Sequence, residues 1–169
     1  HVEAEGIAGN ISYECFGPYK VDKEVPILTM GHSDGGYKIG NNYYAKKNDI
    51  VKFWIQGEDG FSGVSKLSVR AKDNSTDPPS ASIPYSGPYS KSGGHSRVDI
   101  GNPTINVKNT NKFKGTSPFK ATFPFKVVVG TDNDIFDIEG KVDDEASNTT
   151  GWINSGYRLI TDNTPPSLI

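Results

Sequence analysis

Residues 50–57, Ile-Val-Lys-Phe-Trp-Ile-Gln-Gly, alternate: Val51, Phe53 and Ile55 on one face, Lys52, Trp54 and Gln56 on the other. Residues 64–72 alternate too, with Leu67, Val69 and Ala71 opposite Lys66, Ser68, Arg70 and Lys72. A period of two is the mark of a strand with one buried face. The turn-rich link Glu58–Gly63 suggests that these two strands are neighbours. The longest alternating run is 119–129. It sets Phe119, Ala121, Phe123, Phe125, Val127 and Val129 inward and Lys120, Thr122, Pro124 and Lys126 outward. Pro124 has no N–H to give a neighbour, so this strand is expected at a sheet edge or bulged there. Shorter strands are expected at 11–16, 27–32, 81–85, 104–108, 135–139 and 157–161. No window carries a helical period. Many short strands separated by Gly, Pro and Asn turns predict an all-β, antiparallel sandwich or barrel.

Residues 73–118 differ in texture. They are rich in Ser, Pro, Gly, Asn and Lys and hold only short apolar pieces. They read as a long, irregular insertion between core strands: either a plain excursion or a recognition surface on a rigid scaffold.

Composition sharpens this picture. Val, Ile and Thr number 37 against four Leu and seven Ala. β-branched side chains are stiff at χ1 and fit a pleated surface. With 18 basic and 20 acidic residues the net charge is −2, which argues against a nucleic-acid partner and against a basic membrane-surface segment. No apolar run approaches a membrane span, so membrane insertion is not expected. The single cysteine, Cys15, allows neither an internal disulfide nor a cysteine zinc cluster, and reads as a small buried hydrophobe in a strand.

The chain also repeats itself. Val2–Asn10, ending Ala8-Gly9-Asn10, matches Gly140–Asn148, ending Ala146-Ser147-Asn148, at an offset of 138. Tyr19-Lys20-Val21-Asp22 with Pro26 matches Tyr157-Arg158-Leu159-Ile160 with Asp162, Pro165 and Pro166, the aspartates offset by 140. Two matches in the same order point to a modular array. Residues 1–22 then read as the terminal strands of a preceding module, or as a strand donated to a neighbour. Residues 23–163 read as one module and 164–169 as the linker into the next. Proline gives such a boundary a stiff, extended connector. The boundary residues are Asp22, Pro26, Asp162, Pro165 and Pro166.

Glu58-Asp59-Gly60-Phe61-Ser62-Gly63-Val64 resembles the Asp-Gly-Ser-Gly-Val turn of bacterial Ig-like modules, with Phe61 inserted. Those modules recur in tandem in large cell-surface proteins, adhesins and S-layer proteins. Asp22-Lys23-Glu24-Val25-Pro26 and Asp162-Asn163-Thr164-Pro165-Pro166 are similar to the family's boundaries, whereas residues 73–134 match nothing in it. The resemblance implies an Ig-like β-sandwich outside a cell, at the cell surface, with a structural or adhesive role and no active site. Its partners would be neighbouring modules or subunits, met end to end or by strand addition.

Candidate chemistry is sparse. His1, His32 and His95 are not at metal-ligand spacing, and no Gly-X-Ser-X-Gly elbow occurs, so no enzyme is expected. The acidic clusters Asp132-Asn133-Asp134 with Asp137, and Asp143-Asp144-Glu145, offer hard oxygen ligands. Either they are ordinary turn residues or they hold calcium. For a metal the candidates are Asp59, Asp143 and Asp144, because the resemblance places those two turns near one end of the sandwich. The aromatic residues offer a second reading. Trp54 lies on the polar face of its strand, and with Tyr85 and Tyr89 it could form a stacking platform for a cell-surface glycan. The chain would then be a carbohydrate-binding module of a secreted enzyme. The competing account of these rings is ordinary cross-strand packing. Sequons at Asn10, Asn74 and Asn148 are no more than this composition yields by chance.

Overall fold

The structure, a computed structural model, describes residues 2–5 and 11–14 as strand backbone and residues 21–108 and 118–167 in full. Cys15 and the sequon Asn10 lie outside the described residues, as do positions 15–16 of the expected first strand. In chain order the strands are β1 (Val2–Glu5), β2 (Ile11–Glu14), β3 (Ile27–Asp34), β4 (Tyr37–Ile39), β5 (Asn42–Ala45), β6 (Ile50–Glu58) and β7 (Val64–Lys72). There follow β8 (Ser80–Pro84), β9 (Ser90–Ser92), β10 (Val98–Ile100), β11 (Thr104–Lys108), β12 (Phe119–Val127), β13 (Ile135–Asp144) and β14 (Ile153–Thr161). The protein is a β-sandwich of two sheets. One runs β10-β12-β6-β3, with β11 also on β12; the other runs β4-β5-β14-β13-β7-β8-β9. Pairing is antiparallel throughout except between β14 and β5. β1 and β2 form a separate antiparallel hairpin.

The alternating runs do as their pattern demands. Val51, Phe53 and Ile55 of β6 and Phe119, Ala121, Phe123 and Phe125 of β12 are fully buried on one inner face. Leu67, Val69, Phe136, Ile138, Val142 and Leu159 meet them from the other. Phe53 is the hub: its ring meets Phe125 and Tyr43 edge to face, each at 5.4 Å, the geometry that ring quadrupoles favour. His32 stacks on Tyr43 at 4.0 Å and donates from Nε2 to the Gly35 carbonyl, which makes it a packing residue.

Three expectations change. β6 and β7 do not pair; they lie in different sheets, and the link between them crosses the sandwich edge. Each has an inner face to bury, which is satisfied across the core as readily as side by side. β12 is interior to its sheet despite Pro124. The neighbour changes there instead, from β10 opposite residues 125–127 to β11 opposite 119–122. The Gly101-Asn102-Pro103 gap between them asks for no proline N–H, while Gly101 N–H donates to the Pro124 carbonyl at 2.9 Å. Residues 73–108 are more ordered than their composition suggests: β8 and β9 extend one sheet, β10 and β11 the other.

Candidate cation site

At one end of the sandwich, two turns and the leading segment converge. β6 runs out into Asp59, whose Oδ1 accepts from the N–H groups of Phe61 (2.7 Å) and Ser62 (3.0 Å). A short carboxylate bonding backbone two and three residues on is the common way to nucleate such a turn. Gly63 closes it at φ +86°, and its carbonyl accepts from Glu145 N–H at 2.9 Å. That bond ties the turn to the end of β13. There Asp144 accepts from Asn148 twice, backbone N–H to Oδ1 and amide Nδ2 to Oδ2, both at 2.8 Å. The same Asn148 amide reaches the Asp22 carbonyl at 3.3 Å. Asp22 in turn accepts from Glu24 N–H at 2.9 Å and Ser62 N–H at 3.2 Å. Ser62, then the Glu24 N–H, hold the Asp22 carboxyl below its usual value of 3.8.

The result is three carboxylates, those of Asp22, Asp59 and Asp144, with oxygens all within 4.8 Å of one another. Asp59 and Asp144 are buried, at 5% and 2% exposure. Asp59 Oδ2 is fully covered and receives no hydrogen bond. Among the described residues, no lysine, arginine or histidine forms an ion pair with any of the three. Two buried carboxylates at that separation repel by roughly 3 kcal/mol at an effective dielectric constant of about 20. A covered carboxylate oxygen with no donor loses hydration that nothing replaces. Both deficits vanish if a cation sits between them. Calcium takes oxygens at about 2.3–2.6 Å, so two of its ligands can stand about 4.6–5.2 Å apart; magnesium, at about 2.0–2.1 Å, draws them closer. Oxygens within 4.8 Å of one another satisfy the upper bound for either hard cation, so the three carboxylates could hold a divalent cation.

The sequence named two of the three. Asp143 is not among them: it faces outward and pairs with Lys66 at 3.5 Å. Successive strand residues point to opposite faces, so Asp143 and Asp144 could not both reach one site. The missing ligand is Asp22, legible in sequence only as a boundary residue. Its approach to the cluster depends on the leading segment folding back along the Ser62 turn. Asn148, singled out as a sequon, spends its amide on Asp144 and Asp22.

The proposed aromatic platform does not assemble. Trp54 lies across the outer face of its sheet against Gly31, its cross-strand partner, where an added Cβ would fall 2.4 Å from the indole. Lys120 Nζ covers the ring at 4.3 Å. Tyr85 is buried against Phe119, ring to ring at 5.4 Å. Tyr89 is half-buried and donates its hydroxyl to the Ile100 carbonyl; burial raises its pKa. These three rings share no open face.

The segment that follows β14 is also tied down. Asp132, just before β13, accepts from the Asn163 N–H and the Thr164 hydroxyl. The Thr164 hydroxyl, then the Asn163 N–H, lower its carboxyl pKa. Asn163 Oδ1 accepts from Lys47 N–H at 2.7 Å, and Asp162 N–H donates to the Ala45 carbonyl at 2.9 Å. Pro26 is buried, while Asp162, Pro165 and Pro166 are exposed.

No family model matches the chain, and no curated protein matches it. Among solved structures it is similar to a family 123 glycoside hydrolase from Clostridium perfringens, at 14% identity and a TM-score of 0.41. The match covers 83% of this chain and spans 28% of the length of that one.

Proposed function

We propose that this chain is a non-enzymatic structural or adhesive module of an extracellular, cell-surface or filament-forming protein. In this reading it is joined in series to like modules and stiffened at its leading end by calcium. One observation carries the reading. The chain comes in beside Asp144, at the last residue of β13, and leaves beside Asp132, just before the first. Ten residues of strand set these points about 30 Å apart. Modules threaded this way stack end to end and pass tension along the strands. At the leading end Asp22 of the connector accepts from Ser62 and Asn148 of the sandwich, and at the trailing end Asp132 accepts from Asn163 and Thr164 of the connector, so each connector continues the sandwich.

Two further features support a serial arrangement. The hairpin of β1 and β2 has the chain order and antiparallel sense of β13 and β14, the pair that its sequence parallels. Asp162 stands in the repeat where Asp22 stands, with its carboxylate exposed beyond the end of β14.

Thermal unfolding with and without calcium tests the reading. At calcium a hundredfold above its dissociation constant, binding to the folded state alone adds about 2.7 kcal/mol. For a domain of this size that raises Tm by roughly 5–10 °C. Asp59→Asn is expected to abolish the rise. In chelator the same variant is expected to be no less stable than the parent, because a buried uncompensated charge has been removed. An unchanged Tm in calcium, with no calcium bound by titration calorimetry, defeats the cation part of the proposal.

A further inference from the structure

The outer face of the seven-stranded sheet carries a second site, far in chemistry from the acidic end. Register places Lys141 of β13 opposite Ser68 of β7, Ser68 opposite Ser82 of β8, and Ser82 opposite Ser90 of β9. The next row has Arg70 opposite Ser80 and Ser80 opposite Ser92. Serines are short and their neighbours on this face are long. A groove of about 220 Å³ therefore opens over the serines, with Lys66, Lys91, Lys141 and Trp152 at its margins. Four strands about 4.8 Å apart give it a length of roughly 14 Å.

The lining has a definite chemistry. It includes three lysines and no carboxylate. Lys66 and Lys91 are shared with Asp143 and Asp99, at 3.5 and 2.7 Å. Lys141 makes no ion pair among the described residues; its Nζ lies 5.2 Å from the Trp152 ring centroid. The floor is a ladder of hydroxyls, with Ser82 and Ser90 Oγ atoms 3.1 Å apart and Ser80 and Ser92 Oγ atoms 3.0 Å apart. Each hydroxyl both donates and accepts, so a bonded pair keeps further capacity for a ligand. Arg70 holds Trp152 in place, its guanidinium carbon 4.4 Å from the ring, and is itself fixed by Glu139 at 2.6 Å. With Arg70 and Lys141 over its ring, Trp152 closes one margin of the groove and leaves the convergent polar groups as its binding surface.

We propose that this groove binds an acidic polysaccharide, a chain of sugars bearing ring carboxylates. The hydroxyl ladder matches sugar hydroxyls, and Lys141, with Lys66 and Lys91 at the margins, supplies the charge that a uronate needs. The proposal deepens the adhesive side of the function above by naming a ligand class. It uses none of the three cation-site carboxylates.

The test is titration of the full chain with hyaluronan oligosaccharides, which carry one carboxylate per disaccharide. Neutral cello-oligosaccharides and poly-glutamate serve as comparisons. Saturable binding of hyaluronan that weakens with salt is expected. Lys141→Gln should weaken it at least about tenfold, the effect of losing one charge-assisted hydrogen bond. Ser82→Tyr, a good strand former that fills the groove, should abolish it. Both variants should keep the parent Tm. The proposal is overturned by no saturable binding, by equal binding of the neutral sugar or of poly-glutamate, or by variants that fold and bind as before. A calcium-dependent Tm that survives alongside such a failure leaves the cation reading standing.

Discussion

Gly140 shows how tightly single residues are specified. It lies on the inner face of β13, where an added Cβ would fall 2.6 Å from Met30 Sδ and 2.9 Å from Ile55 Cδ1. An added methyl there would have to push the ends of the Met30, Ile55 and Leu28 side chains aside within the core. Gly140→Ala is expected to lower stability by roughly 1–3 kcal/mol, the usual result of overpacking, as measured by denaturant midpoint. Asp59 is a different case: one of its oxygens secures the turn by two backbone bonds, while the other is buried without a donor. Phe53 is fully buried at the centre of the aromatic cluster, and Phe53→Ala should destabilise by about 3–5 kcal/mol.

At the scale of elements, the connectors are held by carboxylates rather than by apolar packing. Asp22 and Asp132 both titrate below the usual 3.8 because Ser62 and Glu24 at the first, and Thr164 and Asn163 at the second, stabilise the charged form. The unfolded chain therefore binds protons more readily than the folded one just below that value. What these bonds contribute is present above about pH 4 and is lost as pH falls through the lowered folded-state values. Protection of the Glu24, Ser62 and Asn163 amides from hydrogen exchange, relative to their intrinsic rates, should fall below about pH 4, before that of the core amides of β6 and β12. Simultaneous loss of both would show that the connectors do not open independently. Arg97 works similarly inside the molecule, bridging Asp73 and Asp134 while lying 5.2 Å from the Phe136 ring centroid. It pins the start of the 73–118 stretch to the strand that leads to the trailing end.

For the whole molecule, the serial reading makes a demand on residues 1–20. If they belong to a preceding module, a chain beginning at Val21 should melt at the parent temperature and keep the full calcium response. A chain carrying Asp22→Asn should bind calcium at least roughly tenfold more weakly, since one charged ligand is lost. Unfolding or aggregation of the Val21 chain would mean that the hairpin completes this sandwich, and strand exchange between subunits would become the better account.

The sequence by itself determined the class of fold and most of its strands. Two-residue alternation in 50–57, 64–72 and 119–129 leaves one face that must be buried, and that requirement is local. Tertiary structure decided what the pattern leaves free. Alternation says which face of β6 and β7 is buried but not against which partner, so their assignment to different sheets was invisible. Pro124 forbids a neighbour's hydrogen bond at one residue, which a gap between β10 and β11 meets as well as an edge would. The short strands β4, β9 and β10, three residues each, are too brief to carry a period. The two sites follow the same division. Asp59 and Asp144 were legible as turn carboxylates, but Asp22 joins them only through the path of the leading segment. The serine groove depends on register across four strands, and register is set by the packed core, not by any one strand.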